Sequence, residues 1–390
     1  ATGNPALSSP VTMTVNPLQP VSVTIAASAN PVCAGTSVNF TSSAVNGGTM
    51  PQYQWKVNGA NTTNATNATF SYIPVNGDMI TCELTSNATC ATGNPALSGP
   101  VTMTVNPLKP VSVTIAVSAN PVCAETSVNY TSSAVNGGTN PQYQWKVNGI
   151  NAVDATNATY SHIPVDGDMI TCELTSNATC ATGNPALSSP VTMTVNPLKP
   201  VSVAISASAN PVCAGTSVNF TSSAMNGGTM PQYQWKVNGT NTSNATNATF
   251  SYIPVNEDVV TCELTSNATC ATGNPALSGP VTMTVNPLKP VSVTIAASNN
   301  PICAGISVTY TASAINGGTM PQYQWKVNGT NAANATNTTF SYIPVNGDMI
   351  TCELTSNATC ATGNPALSGP VTMTVNPLKP VSVTIAASAN

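Results

Sequence analysis

The chain has 390 residues, of which only 5% are charged, with a net charge of −4, no arginine and a single histidine, His162. So thin a charge leaves no basic patch for nucleic acid and no acidic tail. A hydrophobic share of 41% excludes simple disorder, and no run of 18 apolar residues exists to span a membrane.

The sequence repeats with a period of 90, and this period is the first fact to settle about its organisation. Residues 1–17 match 91–107, the end of a repeat. Four full repeats follow, at 18–107, 108–197, 198–287 and 288–377, and residues 378–390 start another. The junctions read Asn-Pro-Leu-Gln-Pro or Asn-Pro-Leu-Lys-Pro, and two prolines in five residues make a short, stiff linker.

Within the first repeat, Val21–Ile25 alternates apolar with polar and reads as a strand, as does Ser37–Thr41. Asn46-Gly47-Gly48 is a loop. Next comes Pro51-Gln52-Tyr53-Gln54-Trp55-Lys56-Val57-Asn58-Gly59, repeated letter for letter from Pro141, Pro231 and Pro321. It holds every tryptophan of the chain: Trp55, Trp145, Trp235 and Trp325. Its period of two predicts a strand, closed by an Asn-Gly turn, and one tryptophan per repeat predicts one small core per repeat. Residues 60–68 form a Thr/Asn tract, expected to be flexible and exposed. Thr69–Ile73, Met79–Thr85 and Val101–Val105 read as further strands, with the last a single strand G. Six or seven short strands per repeat and no helical period predict an all-β chain, a tandem array of β-sandwiches. On this reading Val11–Val15 and Val381–Ile385 are orphaned strands, inviting either continuation of the chain or strand addition between copies.

Twelve cysteines fall three per repeat, as Cys33, Cys82, Cys90 and their equivalents at steps of 90. No Cys-x-x-Cys occurs and no histidine stands nearby, so a disulfide framework in an oxidising, extracellular setting is expected rather than a metal site.

The order of features resembles an immunoglobulin-type sandwich. Gly35-Thr-Ser-Val-Asn-Phe40 resembles its second strand, Tyr53-Gln-Trp55 its third and Asp78-x-Ile80-x-Cys82 its sixth. Ser42 stands where that family has a second-strand cysteine, so the usual inter-sheet disulfide cannot form, and Ile80 replaces the usual corner tyrosine. All four repeats also resemble the Ig-like and PKD-like repeats of large cell-surface adhesins and secreted proteins of gliding Bacteroidota. Those often carry one cysteine just before the second strand and another at the turn after the sixth, places held here by Cys33 and Cys90. The resemblance implies four Ig-like sandwiches, a surface or secreted location, and pairing of Cys33 with Cys90, Cys123 with Cys180, Cys213 with Cys270 and Cys303 with Cys360. Each such bond would close a loop of about 57 residues and stabilise one sandwich by roughly 4 kcal/mol. Cys82, Cys172, Cys262 and Cys352 alternate with core positions and read as buried thiols. Two other arrangements stay open at this level: a Cys33–Cys82 bond with Cys90 free, and a leftover cysteine used between chains.

No residue set suggests catalysis, a metal or a cofactor. Asp78 sits in a turn and should bond local backbone. Glu83 points outward without a partner base, and His162, replacing Tyr72 in one repeat, reads as a surface change. Tyr53 and Trp55 share a face claimed by the core, which leaves no aromatic platform for a sugar. Asn-x-Ser/Thr triplets are dense, and Asn61, Asn64, Asn67, Asn157, Asn241, Asn244, Asn247, Asn334 and Asn337 are candidates for glycosylation. The expected role is structural, an extracellular rod, filament or adhesin stalk, with copies of the chain itself as partners. The alternative is a multivalent module that binds surface glycans or proteins.

Overall fold

In a computed structural model, residues 5–386 are described and divide into two compact units, Ala1–Pro197 and Leu198–Asn390. Each unit holds two sandwiches, and every hydrophobic core draws its residues from within a single 90-residue repeat. The chain is all-β, an array of Ig-like β-sandwiches, and among the described residues no helix is long and apolar enough to cross a membrane.

The first repeat shows the pattern. Its strands are β1 (Gln19–Pro20), β2 (Ser22–Ala27), β3 (Val32–Cys33), β4 (Val38–Val45), β5 (Gln52–Val57), β6 (Ala60–Asn61), β7 (Thr69–Tyr72), β8 (Met79–Thr85), β9 (Ala91–Thr92), β10 (Ala96–Leu97), β11 (Val101–Thr102) and β12 (Val105–Asn106). One sheet has the order β2-β4-β7. The other runs β10-β8-β5-β6, with β11 also on β8. In the second sheet Trp55 lies opposite Cys82, Tyr53 opposite Leu84 and Val57 opposite Ile80. Trp55, Cys82, Leu84 and Ile80 are fully buried, so the alternation along β5 and β8 delivers one apolar face to the core. Phe40 and Phe70 come from the opposing sheet, with ring centroids 6.1 and 5.6 Å from that of Trp55. The indole N–H donates to the Asn67 carbonyl at 2.9 Å, so the largest buried side chain leaves no polar atom unpaired. The turn after β5 has φ of +50° at Asn58 and +82° at Gly59, the two positive angles that an Asn-Gly hairpin supplies at least cost.

Strand G departs from expectation. Val101–Val105 is not continuous but breaks at Met103, which is 1% exposed and fills the core. The Met103 N–H donates to the Asp78 carbonyl, and Gly77 N–H donates back to Met103, so this residue bonds a turn rather than a strand. The Asn30 amide clamps the break, donating to the Thr102 carbonyl and accepting from the Thr104 N–H. Asn76 accepts from the Val105 N–H. Released from β8, the chain pairs in parallel with β3, setting Asn106 opposite Cys33.

The Thr/Asn tract is also less free than expected. Thr62 N–H donates to the Trp55 carbonyl and Trp55 N–H to the Ala65 carbonyl, and Ala65 is buried. The tract is therefore laid along β5 with its asparagines facing water. Residues 5–18 and 378–386 carry no strand, so the expected strands at Val11–Val15 and Val381–Ile385 are not formed. Residues 1–4 and 387–390 of those end segments lie outside the described residues.

Candidate functional site

The junction between the first two sandwiches is built from very few residues. On one side, Asn106 lies opposite Cys33, and Ala34 N–H donates to the Asn106 carbonyl at 2.9 Å. On the other, Lys109 N–H donates to the Cys180 carbonyl at 2.8 Å, and Lys109-Pro110 pairs in parallel with Ala181-Thr182. Only Pro107 and Leu108 stand between these anchors. Cys33 is joined to Cys180, with Cα atoms 5.5 Å apart, so a disulfide crosses the junction beside the backbone. Cys213 and Cys360 repeat the arrangement in the second unit, again 5.5 Å apart and 147 residues apart in sequence. Cys123 and Cys270 are disulfide-bonded as well.

This corrects the pairing implied by the resemblance. Cys33 does not bond Cys90, and Cys213 does not bond Cys270; each bonds a cysteine one repeat further on. Cys90 and Cys303, expected in such pairs, are free and exposed. The reason is placement within a sandwich. The Cys90 carbonyl is held by Gln19 N–H, beside the first strand, while Cys33 is held by Asn106, at the last. The two thiols of one repeat thus face different junctions. The Cys33–Cys82 alternative also fails, because Cys82 is free inside the core. Burial pushes its thiol up to about 11, as it does those of Cys172, Cys262 and Cys352, which makes them unreactive packing groups.

The acidic residues serve structure. Asp78 is 3% exposed and accepts from Val75 N–H at 2.9 Å, from the Asn58 amide at 2.8 Å and from the Tyr72 hydroxyl at 2.9 Å. Burial pushes its carboxyl up, but these three hydrogen bonds outweigh burial and hold it below the usual 3.8. His162 is not a surface substitution. Its Nε2 lies 3.4 Å from Asp168 Oδ2, and its ring stacks on Tyr160, so it takes the place of the tyrosine hydroxyl. Glu83 does have a basic partner, Lys56 on the neighbouring strand, at 2.6 Å; at a half-exposed site such a pair contributes at most about 1 kcal/mol.

The depressed carboxyl sets a pH dependence. A group whose folded pKa lies below its unfolded one stabilises fully above the ordinary carboxylate range and loses that contribution as pH falls through the folded value. The melting temperature is therefore expected to hold from neutral pH to about pH 5 and to fall steeply below about pH 4. Asp78, Asp168, Asp258 and Asp348 act together, since all four are shifted in the same direction. Replacing all four by Asn should lower the melting temperature at pH 7 and flatten the acid limb, as read by calorimetry across the pH range.

An open groove recurs on the sheet that carries the tryptophan. In the first repeat it measures 450 Å³ and is lined by Pro51, Gln52, Tyr53, Gln54, Thr66 and Thr85. Equivalent grooves of 460 Å³ lie in the third and fourth repeats, where Glu263 and Glu353 join the lining. Tyr53 packs against the core as expected, and its remaining surface also walls this groove. Alternation alone hid this, because it assigns a side chain to a face and not to the rim of a sheet. The candidate asparagines Asn61, Asn64, Asn67, Asn157, Asn241, Asn244, Asn247, Asn334 and Asn337 are all exposed. Among the described residues no cluster of three or more His, Cys, Asp or Glu could hold a metal ion.

No family model and no curated protein matches the sequence. Solved structures with tandem Ig domains are similar. The N-terminal four Ig domains of Dscam1 isoform 9.44 are 10% identical over 90% of this chain and 99% of that one, with a TM-score of 0.23. The three N-terminal domains of the bacteriophage RB49 highly immunogenic outer capsid protein are 10% identical over 69% of this chain and 100% of that one, TM-score 0.25. The mouse nectin-like molecule 4 ectodomain is 12% identical over 70% of this chain and 100% of that one, TM-score 0.24.

Proposed function

We propose that this chain is a structural repeat protein of the extracellular space, working as a stiff rod in a filament or adhesin stalk at a bacterial surface. Its domains on this reading are the repeats 18–107, 108–197, 198–287 and 288–377. The observation that carries it is the disulfide beside the junction: Cys33–Cys180 runs parallel to a linker in which only Pro107 and Leu108 are unanchored. A single covalent connection can swivel. Two connections side by side, one of them proline-stiffened, resist both bending and twist. Disulfides themselves fit an oxidising compartment outside the cytosol. Small-angle scattering on the oxidised and the reduced chain tests this. The oxidised chain should give one long, narrow distance distribution, and reduction or Cys33→Ser should shorten and broaden it. Identical curves in both states would remove the rod.

The recurring groove favours a second reading, a multivalent module that binds surface glycans or proteins. Its lining of Gln and Thr, with a half-buried tyrosine at Tyr53 and Tyr233, suits a sugar hydroxyl array. Specific signals on a glycan array that vanish in Tyr53→Ala, Tyr233→Ala and Tyr323→Ala combined would establish it.

A further inference from the structure

Tension along a chain follows its shortest covalent route, because a slack loop carries no load. The joint disulfides shorten that route. Cys33–Cys180 closes off residues 34–179, the greater part of the first two repeats. Cys213–Cys360 closes off 214–359, the greater part of the next two. Between Cys33 and Cys360 the load then passes only through two disulfides and the stretch 180–213. Trp55 and Trp145 lie inside the first closed loop, and Trp235 and Trp325 inside the second. Every strand that carries a tryptophan therefore stands off the route.

The stretch 180–213 fits this role on separate grounds. From Cys180 it runs through Ala181–Thr182, Ala186–Leu187, Val191–Thr192 and Val195–Asn196, the last strands of the second repeat. It reaches the opposite end of that sandwich at Asn196, which lies opposite Cys123. In the third repeat it starts from Lys199, whose N–H donates to the Cys270 carbonyl at 2.8 Å. It then runs through Ser202–Ala207 to Cys213, which lies opposite Asn286. Each half thus crosses its own sandwich once, largely as strand. Strand rises about 3.3 Å per residue, close to the limit of a fully extended chain, so little length is left to draw out.

We propose that the chain bears tension as a tether of nearly fixed length. The joint disulfides and the first and last strands of the sandwiches carry the load, and the tryptophan cores do not. This rests on the joint of the rod reading and concerns stretching rather than bending. A sandwich that opens inside a closed loop adds almost no length, so the tether survives the loss of a core.

Pulling the full chain in optical tweezers, through peptide tags at its two ends, tests this. With the disulfides intact, the fully drawn length counts only residues 1–33, 180–213 and 360–390, about 330 Å. In reductant the same chain should reach about 1,350 Å, a fourfold gain, released in four steps of roughly 300 Å, one per sandwich. Trp145→Ala should cost the reduced chain one of those steps and change the oxidised length by a few tens of Å at most. The proposal is overturned if the oxidised chain shows steps of that size, or if Trp145→Ala lengthens it by a whole step. It is also overturned by an oxidised length of about 560 Å, the value for cysteines paired within each repeat. Scattering on the same samples separates the two failures. Steps in an oxidised chain whose scattering still changes on reduction remove the tether alone. A drawn length of about 330 Å with scattering indifferent to reduction removes the rod alone.

Discussion

Replacing Trp55 by alanine is expected to unfold the first sandwich and leave the other three standing. Trp55 is fully buried, stacks with Phe70 and tilts against Phe40, and its backbone and indole hold residues 62–67 in place. Truncating so large a buried aromatic costs about 3–5 kcal/mol. The Asn67 carbonyl also loses its donor, at a further cost of about 1 kcal/mol. Small domains have about 5–15 kcal/mol in total, so the first sandwich would be marginal at 37 °C. The others keep their own tryptophans, because no core borrows from another repeat. Calorimetry of the full chain should show about a quarter of the unfolding enthalpy moving down by roughly 15 °C or more. A single unshifted transition would mean that Trp55 is not the centre of its core.

Much of this fold was legible because it rests on local alternation. The period of two at Gln52–Val57 and Met79–Thr85 gave both strands to within a residue of their ends, and the Asn-Gly pair gave the turn. What alternation could not give was the break in strand G. Val101, Met103 and Val105 alternate without fault, and the break is imposed by distant amides, Asn30 and Asn76, and by the turn at Asp78. His162 was misjudged for a related reason, since a position's face is local but its neighbours are not. The cysteines show the same limit most clearly. With a period of 90, every Cys33-type residue has a Cys90-type partner at the same place in each repeat. Sequence spacing cannot say which of these stands across the next junction. The geometry of Cys33 beside Asn106 and of Cys90 beside Gln19 decides it.

That geometry leads to a result opposite to the one the resemblance implies. A chain of a single repeat, residues 18–107, should melt at the same temperature with and without reductant. Pairing of Cys33 with Cys90 would contribute roughly 4 kcal/mol by closing a loop of about 57 residues, and breaking it would lower the melting temperature by about 20 °C. In the structure neither cysteine has a partner within its own repeat, so nothing remains to be reduced. The two-sandwich chain 18–197 should respond to reductant, since there Cys33–Cys180 closes 147 residues. The chain-entropy contribution is then about 5 kcal/mol, shared between two sandwiches. Its loss should also open the junction, so that protease cutting at Pro107–Lys109 accelerates on reduction while each sandwich stays folded. Thiol titration gives an independent reading of the full chain: Cys90 and Cys303 should react at once, and Cys82, Cys172, Cys262 and Cys352 only after denaturation. A large drop in the melting temperature of the single repeat on reduction would restore the pairing within one sandwich, and with it remove the covalent joint on which the rod depends.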